Sequence, residues 1–204
     1  AATGQPFVHT WMHCAHLRMG GEKMAKSVGN IARVTELVQA GVSPRALRYS
    51  LIAVHYRAPL NYSDESLAAA SAAVDRIDAL LAALAGYREE RRDDPELPAL
   101  LKRIRAGFEA GLDDDLNVSE ALAALFDGVR DLNRRLDART LSTADAGRAV
   151  ALVRDLDTVL GVAAPVGEVL DPALQVLLDE RVAARAARDW WASDRLRDEL
   201  LAHG

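Results

Sequence analysis

The stretch SDESLAAASAAVDRIDALLAALAG, residues 63–86, decides the fold class of this chain. Its apolar residues recur every three or four positions, which is the spacing that places side chains on one face of an α-helix. Ser63 is a typical N-cap residue and Gly86 a typical helix end. The stretch therefore predicts an amphipathic helix over about residues 64–85, whose apolar face must pack against other helices.

Similar patterns predict further helices along the rest of the chain. They are expected over about residues 97–111, 117–137 and 143–160, with a final pair that begins at Pro172 and divides near Asp189. Short loops between long amphipathic helices predict an antiparallel bundle. The charged stretch 88–94, which precedes two prolines, is interpreted as a solvated hinge.

The region before this bundle predicts a different organisation. An extended apolar pattern over residues 7–19 predicts a strand that ends at Gly20-Gly21. Because one strand cannot form a sheet alone, it is interpreted either as an edge remnant or as a strand whose partners lie outside this chain. Two short helices are expected next, one capped by Asn30 with Val34 and Val38 on its apolar face, the other capped by Ser43 with Leu47 and Leu51 buried. Residues 55–62 are expected to form an irregular connector.

The segment GGEKMAKSVGN, residues 20–30, lies between the expected strand and the first helix, and we call it the lysine loop. Glycine lets backbone amides approach a polyanion closely, and Lys23 and Lys26 supply compact positive charges on flexible stems. This combination is typical of a loop that closes over phosphates. A lysine-rich turn on a solvated surface has a similar composition, so both interpretations stand at this point.

Composition and charge limit the class of protein. Half of the residues are hydrophobic but only 5% are aromatic, which favours helices packed through small aliphatic side chains. Residues 1–62 carry a net charge of +5 and residues 63–204 a net charge of −10, so the chain is not a uniformly basic nucleic-acid binder. The single cysteine, Cys14, excludes an internal disulfide, and no leader or membrane span is visible. We therefore expect a cytoplasmic protein.

Two clusters were considered as metal sites. His13, Cys14 and His16 are possible zinc ligands, but adjacent residues of a strand point to opposite faces and no second cluster completes a tetrahedral site. Asp113 to Asp115 supply the oxygen ligands that magnesium prefers. Three aspartates between helices also form a solvated turn that favours the next helix N-terminus, and this structural interpretation is preferred.

Near the end of the chain, Arg181, Arg185 and Arg188 share one helix face, and Trp190 and Trp191 follow directly. Guanidinium groups bind phosphates and indole rings stack on bases, so this pattern indicates a surface that faces RNA. The alternative is structural, with one tryptophan in the core and the arginines paired with nearby acids. No Ser-His-Asp, G-x-S-x-G or Cys-His arrangement supports nucleophilic catalysis.

The lysine loop resembles the KMSKS signature of class I aminoacyl-tRNA synthetases, with Ala25 where serine usually stands. Its setting is similar to that of cysteinyl-tRNA synthetases, and the resemblance extends over essentially the whole chain. The matching segments are Trp11-Met12-His13, Gly29-Asn30, Leu47-Arg48-Tyr49, His55 to Arg57, Pro59 to Ser63, Asp113 to Asn117, Leu125-Phe126, and the pattern from Arg181 to Arg197.

The resemblance implies a mainly α fold, in which a remnant of a nucleotide-binding α/β fold over residues 1–62 precedes a tRNA-binding antiparallel bundle over residues 63–204. It implies a cysteine–tRNA ligase that uses ATP with Mg²⁺, cysteine and tRNA-Cys. Lys23 and Lys26 would be catalytic, and the tRNA contacts would come from the arginine face. The residues implied to contact ATP are Lys23, Met24, Ala25, Lys26 and Ser27, and those implied to contact tRNA are Arg181, Arg185, Arg188 and Trp190.

The chain also departs from the family pattern. The HIGH signature and the zinc ligands of the family do not occur in it, so we expect the 204 residues alone to be inactive and to hold no metal. A monomer is expected. Two alternatives remain open: a tRNA-binding helical module without activity of its own, and the related ligase that couples cysteine to an amino sugar in mycothiol synthesis.

Overall fold

The computed structural model describes residues 8–24, 32–164 and 172–202 of the chain. The strands in this part are β1 (Leu17–Met19), β2 (Glu22–Lys23) and β3 (Leu60–Tyr62). The helices are α1 (Val34–Gln39), α2 (Pro44–Ile52), α3 (Asp64–Gly86), α4 (Leu97–Asp113), α5 (Val118–Asp137), α6 (Thr143–Leu160), α7 (Pro172–Ala186) and α8 (Trp190–Ala202). The predicted mainly α class is confirmed.

Contacts divide the chain into two compact units, Ala1–Ala164 and Pro165–Gly204. The first unit holds the small sheet and helices α1 to α6, and the second holds α7 and α8. The division into residues 1–62 and 63–204 stays a prediction. Among the described residues, no helix combines the length and the apolar character needed to cross a membrane.

Helices α3 to α6 form the hydrophobic core of the first unit. Each long helix contributes one apolar face, as the periodicity predicts, and the largest fully buried side chains include Ile77, Leu81, Phe108, Leu132 and Leu160. Ser63 accepts a hydrogen bond from the Ser66 amide, so the predicted cap is present, and Ser142 caps α6 in the same way by accepting from the Asp145 amide. Local sequence signals therefore place the ends of these helices correctly.

Glycine allows α4 and α5 to approach each other closely. A Cβ atom at Gly111 would lie 2.6 Å from the Ala121 amide nitrogen, and one at Gly128 would lie 2.5 Å from Ile104 Cδ1. Neither distance is compatible with a larger side chain in this packing. The two glycines were not singled out in the sequence, because their role depends on the neighbouring helix.

Helix α2 is bound to the end of α6 by two arginines. Arg45 Nη1 donates to Asp78 Oδ2 at 2.7 Å and to the Val162 carbonyl at 3.0 Å. Arg48 donates to the carbonyl oxygens of Leu160 and Val159, at the C-terminus of α6. A cation at a helix C-terminus satisfies free carbonyls and opposes the negative end of the helix dipole. Arg48, part of the Leu47-Arg48-Tyr49 segment, thus has a structural role.

Several expectations about residues 7–94 were wrong. The first concerns the strand, which is not an edge remnant and lies between two other strands of this chain. Within residues 8–19 only Leu17–Met19 is strand, whereas β2 and β3 were not expected. Backbone groups need a strand beside them to form a ladder, and only this short segment lies next to β2 and β3.

Helix α1 is shorter and more exposed than predicted. It begins at Val34, after Arg33 as N-cap, and contains no buried residue. Val34 is 59% exposed and Val38 40% exposed, so the apolar face of α1 has no helix packed over it in the described part of the chain. Asn30, the expected cap, lies outside the described residues.

The charged stretch 88–94 is largely exposed, as expected, but its hydrogen bonds show that it is not a hinge. The Asp94 amide donates to Asp145 Oδ2 at 2.8 Å, and the Glu89 amide donates to Thr143 Oγ1 at 3.0 Å. Arg148 bridges Asp93 and the buried Asp145 at 2.7 and 2.5 Å. Burial acts to raise the pKa of Asp145, but hydrogen bonds from the Ser142 and Asp94 amides and from Arg148 together outweigh it, so this pKa is lowered. The stretch therefore packs on the start of α6.

Candidate functional site

The lysine loop begins at a tight turn between β1 and β2. Gly20 and Gly21 have φ angles of 60° and 84°, the left-handed values that a two-residue hairpin turn of type I′ requires at both central positions. The Met24 amide donates to the Leu17 carbonyl at 3.1 Å and so continues the pairing past β2. The hairpin thus fixes where the lysine loop leaves the sheet.

The structure describes only part of the predicted ATP-contacting set. Lys23 is the last residue of β2. Met24 comes next and is half-buried. Ala25, Lys26 and Ser27 lie outside the described residues. The roles assigned to these five residues remain predictions.

The other edge of β1 pairs with β3, in parallel, with Leu17 opposite Leu60 and Met19 opposite Tyr62. The Gly21 amide donates to Asn61 Oδ1 at 2.9 Å, so a side chain of β3 binds the hairpin turn itself. Ahead of the strands, the Ala15 amide donates to the Tyr56 carbonyl at 2.8 Å. The sheet order is therefore β2–β1–β3, and the connector before β3 runs beside the segment before β1.

A polar cluster, which we call the Asp115 cluster, joins this connector to the turn between α4 and α5. It consists of His55, Tyr56, Arg57 and Asp115. Arg57 donates to both carboxylate oxygens of Asp115, from Nε at 2.6 Å and from Nη2 at 3.1 Å, and the Tyr56 hydroxyl donates to Oδ1 at 2.7 Å. His55 Nε2 lies 3.1 Å from the Asp115 carbonyl oxygen. The guanidinium of Arg57 also lies 4.9 Å from the centre of the Tyr56 ring, close enough for a cation–π contact.

The electrostatics of the Asp115 cluster follow from these hydrogen bonds. The Arg57 guanidinium, followed by the Tyr56 hydroxyl, lowers the pKa of Asp115 from 3.8 to about 2. The hydrogen bonds that Arg57 and Tyr56 donate to this carboxylate stabilise their protonated forms and so raise the pKa of both side chains. Asp115 is therefore a carboxylate bound by Arg57 and Tyr56, a role that the interpretation as a solvated turn did not include.

This pKa shift predicts a component of acid sensitivity. Because the pKa of Asp115 is lower in the folded state, its favourable contribution is complete above about pH 4 and is lost as the pH falls toward about 2. We expect the thermal unfolding midpoint of Asp115→Asn to fall less steeply over this range than that of the parent chain. Identical slopes for the two proteins in a calorimetric pH series would contradict the assignment.

An apolar cavity of about 330 Å³ lies between the sheet, α2 and the α4–α5 turn. Leu51 and Leu116 line it and remain 44% and 50% exposed, so Leu51 faces this cavity and is not buried as expected. The Cys14 thiol is also part of its wall. His13, next to it, stacks on Trp11 with ring centres 6.1 Å apart. Within the described ranges no group of three or more His, Cys, Asp or Glu residues could hold a metal ion.

In the second unit, the predicted arginines lie on α7 and on the turn after it. Arg181 is half-buried, whereas Arg185 and Arg188 are exposed. Arg188 has a φ angle of 59°, and its amide donates to the Arg185 carbonyl at 3.1 Å, so it forms part of the α7 C-terminal turn. Arg181 and Arg185 thus lie four residues apart on α7, but Arg188 follows the end of the helix, so the expectation that all three share one helix face is wrong for Arg188.

The tryptophans contradict the structural alternative, in which one of them fills a core. Trp190 is 60% exposed and Trp191 77% exposed, and Ser193 and Leu196 are the buried residues of α8. The guanidinium of Arg195 lies 5.8 Å from the centre of the Trp191 ring. The unit thus presents both indoles to solvent.

Two of the acids expected to pair with the predicted arginines have other roles. Asp189 Oδ1 accepts the Ala192 amide at 3.0 Å at the start of α8, and Asp194 pairs with Arg197 at 3.1 Å. The exposed arginines and indoles remain compatible with the predicted RNA-facing surface.

The segment His55–Arg57 belongs to the family pattern, but nothing in the sequence indicates its role. Asp115 was interpreted only as one residue of a turn. Arg57 and Asp115 are 58 residues apart in the sequence, and no periodic pattern indicates that they form a pair. The alternation of acidic and basic residues near both segments gave no information on which pairs form.

Two family models match the chain. Residues 1–72 match the catalytic domain of class I tRNA synthetases of the cysteine type, described as "tRNA synthetases class I (C) catalytic domain". Residues 107–164 match the DALR domain, which corresponds to the end of α4 and to α5 and α6. The first match thus includes the sheet, the lysine loop and the connector over residues 55–62. The second match includes Asp115.

The chain is also similar to curated proteins named cysteine–tRNA ligase. It is 36% identical to the one from Oenococcus oeni over 206 residues and 39% identical to the one from Pseudomonas aeruginosa over 217 residues. For both, the similarity covers 100% of this chain and 44% of the relative. The protein from Chlamydia muridarum is 34% identical over 98% of this chain and again 44% of its own length. The chain therefore spans less than half the length of these relatives.

Proposed function

Since the chain belongs to the cysteinyl-tRNA synthetase family, we propose that it supplies the lysine loop and the tRNA-binding helices of a cysteine–tRNA ligase. The observation that carries the proposal is the position of the lysine loop. It leaves a hairpin whose sheet is hydrogen-bonded to the connector of the helical bundle, within the segment that matches the class I catalytic domain. ATP, cysteine and tRNA-Cys are the proposed substrates.

The proposed chemistry assigns a charge-neutralising role to Lys23 and Lys26. In the first step the cysteine carboxylate attacks the α-phosphorus of ATP, the bond to the β-phosphate breaks, and pyrophosphate leaves. Two ammonium groups near the phosphates stabilise the negative charge that develops in that transition state. The cysteinyl group then passes to the 3′-terminal adenosine of the tRNA, with AMP as the leaving group. Met24, Ala25 and Ser27 are proposed to contact ATP beside the lysines.

We do not propose a metal ion bound by the residues of this chain. Mg²⁺ is expected with ATP, and zinc is expected in longer family members. The described residues show no group of three possible metal ligands, so no step is assigned to a metal ion held by this chain.

A chimera tests the proposal directly. In this ligase chimera, the chain replaces the matching 44% of the Oenococcus oeni protein. We expect it to attach cysteine to tRNA-Cys and to catalyse cysteine-dependent ATP–pyrophosphate exchange, whereas the 204-residue chain alone should catalyse neither. A folded chimera that binds tRNA but exchanges no pyrophosphate would contradict the role proposed for the lysine loop.

The arginine face of the second unit is proposed to bind tRNA. We expect Arg185→Ala with Arg188→Asn to weaken binding of tRNA-Cys to the 204-residue chain and to reduce its salt dependence, because two phosphate contacts are lost. Each lost contact should lower the slope of log K against log salt by about 0.7–0.9. Asparagine suits position 188 because it tolerates the left-handed backbone there. Binding is measured by filter retention at several salt concentrations.

Arg130→Ala is the matched control for this experiment. Arg130 is an exposed arginine of the first unit that pairs with Asp127, and its loss should leave the salt slope unchanged. An equal slope for the double variant and the parent would show that the two arginines do not contact phosphate.

The same binding assay separates the two alternatives. A ligase acting on an amino sugar predicts no affinity for tRNA, and a helical module without activity predicts tRNA affinity that is indifferent to the lysine loop. The relatives named above are all cysteine–tRNA ligases, which favours the main proposal. A monomer in the cytoplasm remains our expectation.

A further inference from the structure

We propose that Asp115 is a positioning residue for the lysine loop, and that it acts through Arg57 and Tyr56. The inference rests on the proposed function for its consequence in catalysis. Its structural part, that the α4–α5 turn holds the sheet from which the lysine loop leaves, stands on the hydrogen bonds described above. Asp115 itself is not proposed to touch ATP.

The first step from Asp115 to the lysine loop is the turn that carries Asp115. Asp115 and Leu116 both have left-handed φ angles, 54° and 55°, which are uncommon outside glycine. The Asn117 amide donates to the Gly111 carbonyl at 2.9 Å, and the Asn117 side chain accepts from the Glu120 amide at 3.3 Å. The close packing of Gly111 on α5 also fixes the end of α4. Asp115 therefore projects from a turn whose two ends are both held.

The second step is the attachment of the connector to this turn. A bidentate pair between a guanidinium and a carboxylate is directional as well as strong, and the Tyr56 hydroxyl adds a third hydrogen bond to the same carboxylate. Ser119 Oγ, from the first turn of α5, donates to the Ala53 carbonyl at 2.8 Å just before the connector. The connector is thus bound at its beginning and at its centre.

The third step leads from the connector to the lysine loop. The Tyr56 carbonyl accepts the Ala15 amide, and Asn61, in β3, accepts the Gly21 amide of the hairpin turn. β1 lies between β3 and β2, and the rest of the lysine loop follows β2 directly. A displacement of the connector would therefore shift the segment before β1 and the hairpin turn.

The test uses the 204-residue chain and its Asp115→Asn variant. Asparagine keeps the shape and the left-handed backbone of Asp115 but removes the charge that binds Arg57. We expect hydrogen exchange to become several-fold faster at the Ala15, Gly21 and Met24 amides, while exchange in the core of α3 to α6 stays as in the parent. Unchanged exchange at all three amides would overturn the inference.

Asp155→Asn is the matched control variant. Asp155 accepts a hydrogen bond from Arg105 at 2.5 Å on the surface of the bundle, and it is 53% exposed, against 47% for Asp115. The Asp155→Asn substitution removes the Arg105–Asp155 ion pair, which is about as short as the Arg57–Asp115 pair and does not involve the connector. Faster exchange at the three amides in this variant too would show a general loss of stability, which would also overturn the inference.

A kinetic readout in the ligase chimera separates positioning from stability. If the lysines act mainly on the transition state, misplacing them lowers kcat and leaves the KM for ATP nearly unchanged. We expect Asp115→Asn to lower kcat for pyrophosphate exchange by about 10- to 100-fold. A rise in KM alone would contradict the positioning role. A parent chimera without exchange activity would instead count against the proposed function, and hydrogen exchange would still decide whether Asp115 holds the sheet.

Discussion

Replacing Lys26 with alanine in the ligase chimera is expected to reduce cysteine-dependent ATP–pyrophosphate exchange by about 10²–10³-fold, or roughly 3–4 kcal/mol of transition-state stabilisation. The reason is electrostatic, because charge moves onto the leaving pyrophosphate as the α-phosphorus is attacked. A positive group already in place there stabilises the transition state without reorganisation of water. Since Lys26 is expected to act mainly on the transition state, kcat should fall more than KM rises.

Lys102→Ala is the control for this prediction. Lys102 is an exposed lysine of α4, so its removal changes the net charge equally without altering the lysine loop. We expect exchange activity within about twofold of the parent, because exposed surface substitutions away from special features have small effects. Equal activity of the Lys26 and Lys102 variants would show that Lys26 does not contribute to the exchange reaction.

Substitution of Ala25 by serine, the usual residue of the KMSKS signature, keeps both charges and should change the rate little.

The Phe108→Ala substitution should have the largest effect on stability. Phe108 is 2% exposed and lies in the core formed by α3 to α6. Truncating a buried phenylalanine removes its transfer free energy and leaves a cavity, at a cost of about 3–5 kcal/mol. Because a domain is stabilised by only about 5–15 kcal/mol, this is a large part of the total. Chemical denaturation of the 204-residue chain, followed by circular dichroism, measures the change.

Val159→Ala is the matched substitution for this measurement. Val159 lies on α6 and is 52% exposed, so its truncation leaves no cavity. We expect its free energy of unfolding to remain within about 0.5 kcal/mol of the parent. A loss of the same size in both variants would mean that Phe108 is not part of a close-packed core.

The long helices could be predicted because their signals are local. The period of apolar residues in α3 and the side chains of Ser63 and Ser142 specify a helix and its start within a few residues of chain. The first ninety residues were harder, because strand formation depends on partners. Leu17–Met19 is a strand since Leu60–Tyr62 and Glu22–Lys23 lie beside it, and neither neighbour has a period long enough to be recognised.

One part of the candidate site could be recognised from the sequence and another part could not. The lysine loop was recognisable because its glycines and lysines form one contiguous segment whose chemistry suits phosphates. The Asp115 cluster was not, because a charged residue in the sequence does not indicate which opposite charge will meet it. The tryptophans of α8 show the same limit: the sequence left open whether they face RNA or whether one fills a core, and in the structure Ser193 and Leu196 are buried while both indoles are exposed.

The sequence alone determined the helical bundle, most of its helix ends, the lysine loop and the family to which the chain belongs, because each depends on residues close together in the chain. The tertiary structure alone decided that Arg48 binds the end of α6, that Gly111 and Gly128 admit a neighbouring helix, and that Asp115 holds the connector. These contacts join residues far apart in sequence. They are selected by the three-dimensional approach of whole elements, whose geometry no local pattern encodes.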